Sequence, residues 1–94
     1  MRIGSFSHKA LRRFYEAGIT KGLPPDSIAK LRAMFSVLDQ MSDAAELRAW
    51  PLWKVHQLTG DMQGRWSLHV TRNWRLTFRI EAAELLDVDF EDYH

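Results

Sequence analysis

The sequence predicts an α+β domain: two N-terminal helices packed on one face of a mainly antiparallel sheet, in the order β-α-α-β-β-β-β. Three observations predict it. Between residues 24 and 41 apolar side chains recur every three or four positions, the period of one helix face. From residue 52 onward the period falls to two, the period of a strand. The two cleanest alternating runs, "RWSLHVT" and "WRLTFRI", lie next to each other and read as a hairpin. At 94 residues the chain is one domain, residues 1–94, with 46 % apolar and 12 % aromatic content to supply a single modest core.

The elements follow in order. "RIGSF" (2–6) is a short first strand. In "FSHKALRRFYEAG", Ser7 reads as the N-cap of a helix. Phe6 and Leu11 are then spaced for a hydrophobic staple, and Gly18 suits the left-handed residue that ends the helix. Pro24-Pro25 opens a second helix. Its buried face is Ile28, Leu31, Met34, Phe35, Leu38 and Met41, with Lys30, Arg32 and Asp39 facing out. "SDAAELRAWP" holds one more helical turn, closed off by Pro51, and "LWKVHQL" is the next strand. In the hairpin, Trp66, Leu68 and Val70 share a face with Trp74, Leu76, Phe78 and Ile80. Matching those faces pairs Val70 with Trp74 and His69 with Arg75. That leaves a three-residue loop, Thr71-Arg72-Asn73, with Asn73 supplying a left-handed conformation. The final strand, "AELLDVDF", points Leu86, Val88 and Phe90 inward.

Composition excludes several classes. With no cysteine there is no disulfide framework and no thiolate metal site. No two histidines stand at i, i+4 on a helix, so no metal and no cofactor is expected. No window approaches 18 apolar residues, and "MRIGSFSHKALRRF" has no apolar signal core, so the expected location is cytoplasmic, away from membranes. Net charge is +1, but residues 1–79 hold all 13 Lys and Arg against six acids. Residues 80–94 hold the other six acids and no Lys or Arg. A basic body suits nucleic acid; an acidic last strand beside basic ones suits pairing by opposite charge.

The candidate chemistry lies on the polar face. Arg75, Thr77 and Arg79 fall beside Arg65, Ser67 and His69, either as the solvated side of a half-buried sheet or as an anion site with Arg75 as its clamp. His56 shares its strand face with Lys54 and is structural or reactive on the same terms. Trp66 and Trp74 read as packing, whereas Trp50 and Trp53 flank Pro51, where one can be exposed. The chain ends on Asp92, Tyr93 and His94, directly behind a strand. If that strand is paired, the ending is pinned rather than frayed. The terminal carboxylate and the acidic run before it then favour a charged His94 imidazolium.

The segment "KVHQLTGDMQGRWSLHVTRNWRLTF", the terminal "DFEDYH", the start "SFSHKALRRFYEAG" and the Pro-opened second helix together resemble the HigB toxins of the RelE superfamily, over essentially the whole chain. The resemblance implies the compact RelE-like fold and a toxin of a type II toxin–antitoxin system. It implies a metal-independent endoribonuclease that cuts mRNA in the ribosomal A site, inhibits translation and arrests growth. Matched residue by residue, the family's catalytic positions fall on His56, Arg75, Asp92, Tyr93 and His94. Lys54, Arg65, Arg72 and Arg79 are the expected contacts to RNA and ribosome. Such chemistry needs a base for the ribose 2′-hydroxyl, an acid for the leaving oxygen and a cation for the phosphorane. Two histidines and Arg75 can supply these. The implied partners are the ribosome with its mRNA and a HigA-like helix-turn-helix antitoxin; nothing in the chain itself reads DNA sequence. Relatives tend to carry cations where "HQLTGDM" has Thr59 and Met62, which predicts a weak or moderate toxin. The alternative is a catalytically impaired module of the same fold that still docks on the ribosome or on a protein.

Overall fold

The computed structural model describes residues 1–58, 60 and 64–92. Its elements are β1 (Arg2–Ile3), α1 (Lys9–Ala17), α2 (Ile28–Gln40), β2 (His56–Gln57), β3 (Arg65–Thr71), β4 (Trp74–Glu81) and β5 (Glu84–Asp92). Short 3₁₀ turns at Pro25–Ser27, Ala44–Ala49 and Pro51–Trp53 connect them. The five strands form one sheet in the order β1-β5-β4-β3-β2, antiparallel except where β1 runs parallel to β5. This is the expected β-α-α-β-β-β-β order and fold class.

The core lies between the helices and one sheet face. Leu11 and Phe14 of α1 and Leu31, Met34, Phe35 and Leu38 of α2 are buried. They form one cluster with Leu68, Val70, Leu76, Phe78, Leu85, Val88 and Phe90 of the sheet. Each such side chain contributes about 1.5–3 kcal/mol through removal from water. Helix α2 buries the face its spacing predicts, with Met41 continuing it and Ile28 only half-buried.

Several local expectations need correction, each for a physical reason. Helix α1 is capped by His8, not Ser7: the His8 Nδ1 accepts from the Leu11 amide at 3.1 Å. Ser7 is drawn instead into strand pairing, where its amide donates to the Val88 carbonyl at 2.9 Å beside a Phe6–Val88 bridge. With the cap at His8, Phe6 no longer stands at the staple position; its ring packs on Tyr15 and Phe35. Gly18 does end α1 in the left-handed conformation, at φ 72°.

The run "LWKVHQL" shortens to a two-residue strand. The helical turn in "SDAAELRAWP" forms at Ala44–Ala49 and ends before Pro51 as expected, but Pro51 opens a second 3₁₀ turn that Lys54 leaves at φ 45°, so extended backbone begins only beyond it. The hairpin loop is two residues, Arg72-Asn73, because Thr71 pairs with Trp74. Face matching survives because a bulge at Val70 absorbs one residue between the Thr71 and His69 pairs. Asn73 is not among the described residues with positive φ. In β5 the inward residues are Leu85, Val88 and Phe90; Leu86 is only half-buried. A second bulge, between the Thr77–Asp89 and Arg79–Leu86 pairs, shifts the phase at Asp87, which sits at φ 51°. Aspartate tolerates that conformation, and its backbone amide donates to Ser5 Oγ at 2.8 Å. Its carboxyl is held below its usual range, first by the Arg79 Nε–H donated at 2.6 Å.

Among the described residues no helix is long and apolar enough to cross a membrane, and no cluster of side chains is arranged to hold a metal ion.

Candidate functional site

The polar sheet face is organised in rows set by strand register. His56 of β2 lies opposite Ser67 of β3, which lies opposite Thr77 of β4, which lies opposite Asp89 of β5. One row further along, His69 of β3 lies opposite Arg75 of β4, which lies opposite Glu91 of β5. Directly paired residues, and residues two apart, project to the same side of a sheet. His56 and Arg75 therefore share a face, two strands and one row apart, roughly 12 Å between their backbones.

Beside Arg75 lies a small cleft of about 170 Å³, lined by Leu58, Ser67, Arg75, Thr77, Glu91 and Asp92. Its floor is ordered by a relay: Arg65 Nη2 donates to Thr77 Oγ1 at 3.0 Å, and that hydroxyl donates to Glu91 Oε2. Arg65 also donates to the Asp87 carbonyl. Arg75 is anchored by Nη1 donating to the Thr71 and Trp74 carbonyls, both at 3.2 Å. The Trp74 ring behind it stacks on Phe90 with centroids 4.7 Å apart. A planar guanidinium held in this way, beside an exposed imidazole on the next strand but one, can meet a phosphodiester laid across the face.

The expected site residues divide into three groups. Arg75 and Asp92 line one cleft, and His56 shares the sheet face of Arg75 without lining that cleft; His56 and Asp92 are exposed. Tyr93 and His94 lie outside the described residues, as do Thr59 and Met62 of the altered loop. Of the expected RNA contacts, Lys54 is exposed beside β2 and Arg72 is exposed at the hairpin tip. Arg65 and Arg79 are engaged within the sheet: Arg65 donates to Thr77 and to the Asp87 carbonyl, and Arg79 is ion-paired with Asp87 and Glu81. The acidic final strand thus answers the basic hairpin by opposite charge, at least through the Arg79–Asp87 pair.

Sequence reading placed Ser67 and Thr77 on this face but passed over Glu91, which becomes a cleft wall only through its cross-strand register with Arg75.

Comparison with known proteins gives a consistent picture. The family described as HigB-like toxin, a RelE-like toxin of type II toxin–antitoxin systems, matches residues 4–94. The chain is 35 % identical over 92 residues to the endoribonuclease HigB of Proteus vulgaris, covering 98 % of this chain and 99 % of that one. In fold it is similar to YafQ from Escherichia coli, with TM-score 0.65 and 19 % identity over 98 % of this chain and 93 % of that one. It is also similar to a chain of the heterotetrameric YoeB–YefM toxin–antitoxin complex from Staphylococcus aureus, with TM-score 0.61 and 16 % identity over 100 % and 99 % of the two chains.

Proposed function

Because the chain belongs to the HigB-like toxins of type II toxin–antitoxin systems, we propose that it is a ribosome-dependent, metal-independent endoribonuclease that cuts mRNA in the A site and so inhibits translation. The observation that carries the reading is the shared sheet face of His56 and the anchored Arg75, with Asp92 beside Arg75 in the cleft. The identity with a protein named endoribonuclease HigB supports the reaction type.

In the proposed reaction a histidine takes the proton of a ribose 2′-hydroxyl, and that oxygen attacks the adjacent phosphorus. Arg75 offsets the negative charge gathering on the non-bridging oxygens. A second histidine gives its proton to the departing 5′-oxygen, leaving a 2′,3′-cyclic phosphate and a 5′-hydroxyl. His56 and His94 are the two imidazoles; each proton transfer contributes about 10²–10⁴-fold in rate. Asp92 orients an imidazole or the RNA, and Tyr93 stacks on a base or donates a hydrogen bond to it. Lys54 and Arg72 are the exposed cations placed to meet phosphates. Arg65 and Arg79 act chiefly by stiffening the face.

The proposed partner in the resting cell is a HigA-like helix-turn-helix antitoxin, in keeping with a fold relative solved as a toxin–antitoxin complex. A second reading, a ribosome- or protein-binding module with impaired catalysis, draws on the two arginines spent on internal bonds and on Thr59 and Met62 in the loop.

Induction of the wild type in growing cells is expected to arrest growth and to leave cut transcripts, whereas His94→Ala leaves both unaffected at equal protein level. Equal arrest by both proteins with intact transcripts would favour the binding module.

A further inference from the structure

A second hollow lies on the far side of His69 from the catalytic cleft, between α2 and the 51–54 turn, with a volume of about 430 Å³. Its apolar floor is Met34 of α2 and Val70 of β3, both buried. Trp53 and Leu52 form one wall; Lys30 of α2 and Lys54 stand on its rim. No lining residue is acidic. Among the described residues, the buried His69 Nδ1 has no hydrogen-bond partner. The volume falls within the range of sites that enclose small ligands.

We propose that this hollow is a nucleotide pocket, seating one base of the bound RNA against Trp53 and His69 with its phosphate between Lys30 and Lys54. The inference rests on the reading of the polymer as RNA and adds to it a site separate from the cutting residues.

Each part of a nucleotide finds a counterpart. An indole face and an apolar floor suit a base, whichever base it is. Two ammonium groups with no nearby carboxylate in the lining suit a phosphate. The unpaired His69 nitrogen is the kind of buried polar atom that a ligand satisfies. Burial, and then the charges of Arg75, Lys54 and Lys30, lower the His69 pKa, so the ring stays neutral with one donor and one acceptor nitrogen. A base edge offers both complements, whereas an imidazolium only donates.

RNA is favoured over an acidic protein segment by position. His69 is the direct cross-strand partner of Arg75, so the pocket adjoins the proposed catalytic face. A strand of RNA crossing that face continues past His69 into the hollow. Residues 50 and 53 extend the wall: their indoles stack with centroids 5.0 Å apart, fixing the Trp53 plane.

The test is a titration of 5′-AMP, with adenosine and inorganic phosphate in parallel, into the whole isotope-labelled chain observed by NMR. The expected result is saturable shifts at the Trp53 indole N–H, His69 and Lys30, tighter for 5′-AMP than for either fragment. Lys30→Glu, on the exposed side of α2, weakens 5′-AMP at least fivefold while the rest of the spectrum stays in place. Shifts elsewhere, equal affinity for 5′-AMP and phosphate, no effect of Lys30→Glu, or movement of these resonances only with an antitoxin present would each overturn the pocket. Transcript cutting by the wild type, measured alongside, separates the two claims. Cutting with an unresponsive pocket removes the pocket alone; a responsive pocket without cutting upholds it and removes the nuclease reading.

Discussion

Under the proposed reaction, Arg75→Ala is expected to lower mRNA cleavage on programmed ribosomes by about 10²–10³-fold, the cost of removing one preorganised donor to a charged transition state. The guanidinium does not swing freely: its Nη1 donates to the carbonyls of Thr71 and Trp74, which the hairpin turn brings together. Its position is therefore fixed before substrate arrives, and little reorganisation is needed as charge develops. Arg75→Lys recovers only part of the loss, because an ammonium supplies charge without the planar fork and loses the two carbonyl anchors as a pair. Single-turnover rates at saturating ribosome check both. Folding is monitored by thermal unfolding, since Arg75 is half-buried and its bonds to the Thr71 and Trp74 carbonyls also tie the hairpin turn. A rate within threefold of wild type for Arg75→Ala would assign the phosphate charge to another group.

Phe78→Ala costs about 3–5 kcal/mol of folding stability. Phe78 is fully buried and is the largest of the side chains that are. It lies at the centre of β4, the strand flanked by β3 and β5, opposite Trp66. Truncation leaves a cavity under both helices that the paired strands on either side prevent from closing. A domain of this size has total stability of about 5–15 kcal/mol, so the variant is expected to be largely unfolded or to melt tens of degrees lower, at roughly 4–8 °C per kcal/mol. Equilibrium urea unfolding measures the change directly. Phe78→Leu, which keeps most of the volume, is expected to lose less than half as much. A loss below 1 kcal/mol for Phe78→Ala would mean that the core between helices and sheet is not packed as described.

Much of the architecture was legible because two periods differ so plainly. The 3–4 spacing from Ile28 to Met41 and the alternation of "RWSLHVT" and "WRLTFRI" assign elements and faces before any pairing is known. What escaped was local. Bulges at Val70 and Asp87 each insert one residue into a ladder, so a strict alternation misplaces the loop at one end and exchanges Leu86 for Leu85 at the other. The His8 cap was hidden because the preceding serine is the commoner cap, yet its amide is committed to β5 across the sheet, a long-range contact no local pattern carries. The same holds for the site. His56 and Arg75 stood out by type and resemblance, whereas the Arg65–Thr77–Glu91 relay and the His69 hollow arise from register and from the approach of α2. Tyr93 and His94, outside the described residues, were singled out by resemblance alone.

The central claim is a nucleophile supplied by the RNA itself, with the protein moving protons and offsetting charge around it. The most direct measurement replaces the single ribose 5′ of the cut with its 2′-deoxy form in an mRNA held on a programmed ribosome. The account predicts that cleavage at that bond stops while binding continues, and that the all-ribose message yields a 5′-hydroxyl fragment and a cyclic phosphate end. Cutting of the deoxy-substituted bond at an undiminished rate, or a 5′-phosphate on the downstream fragment, would contradict it.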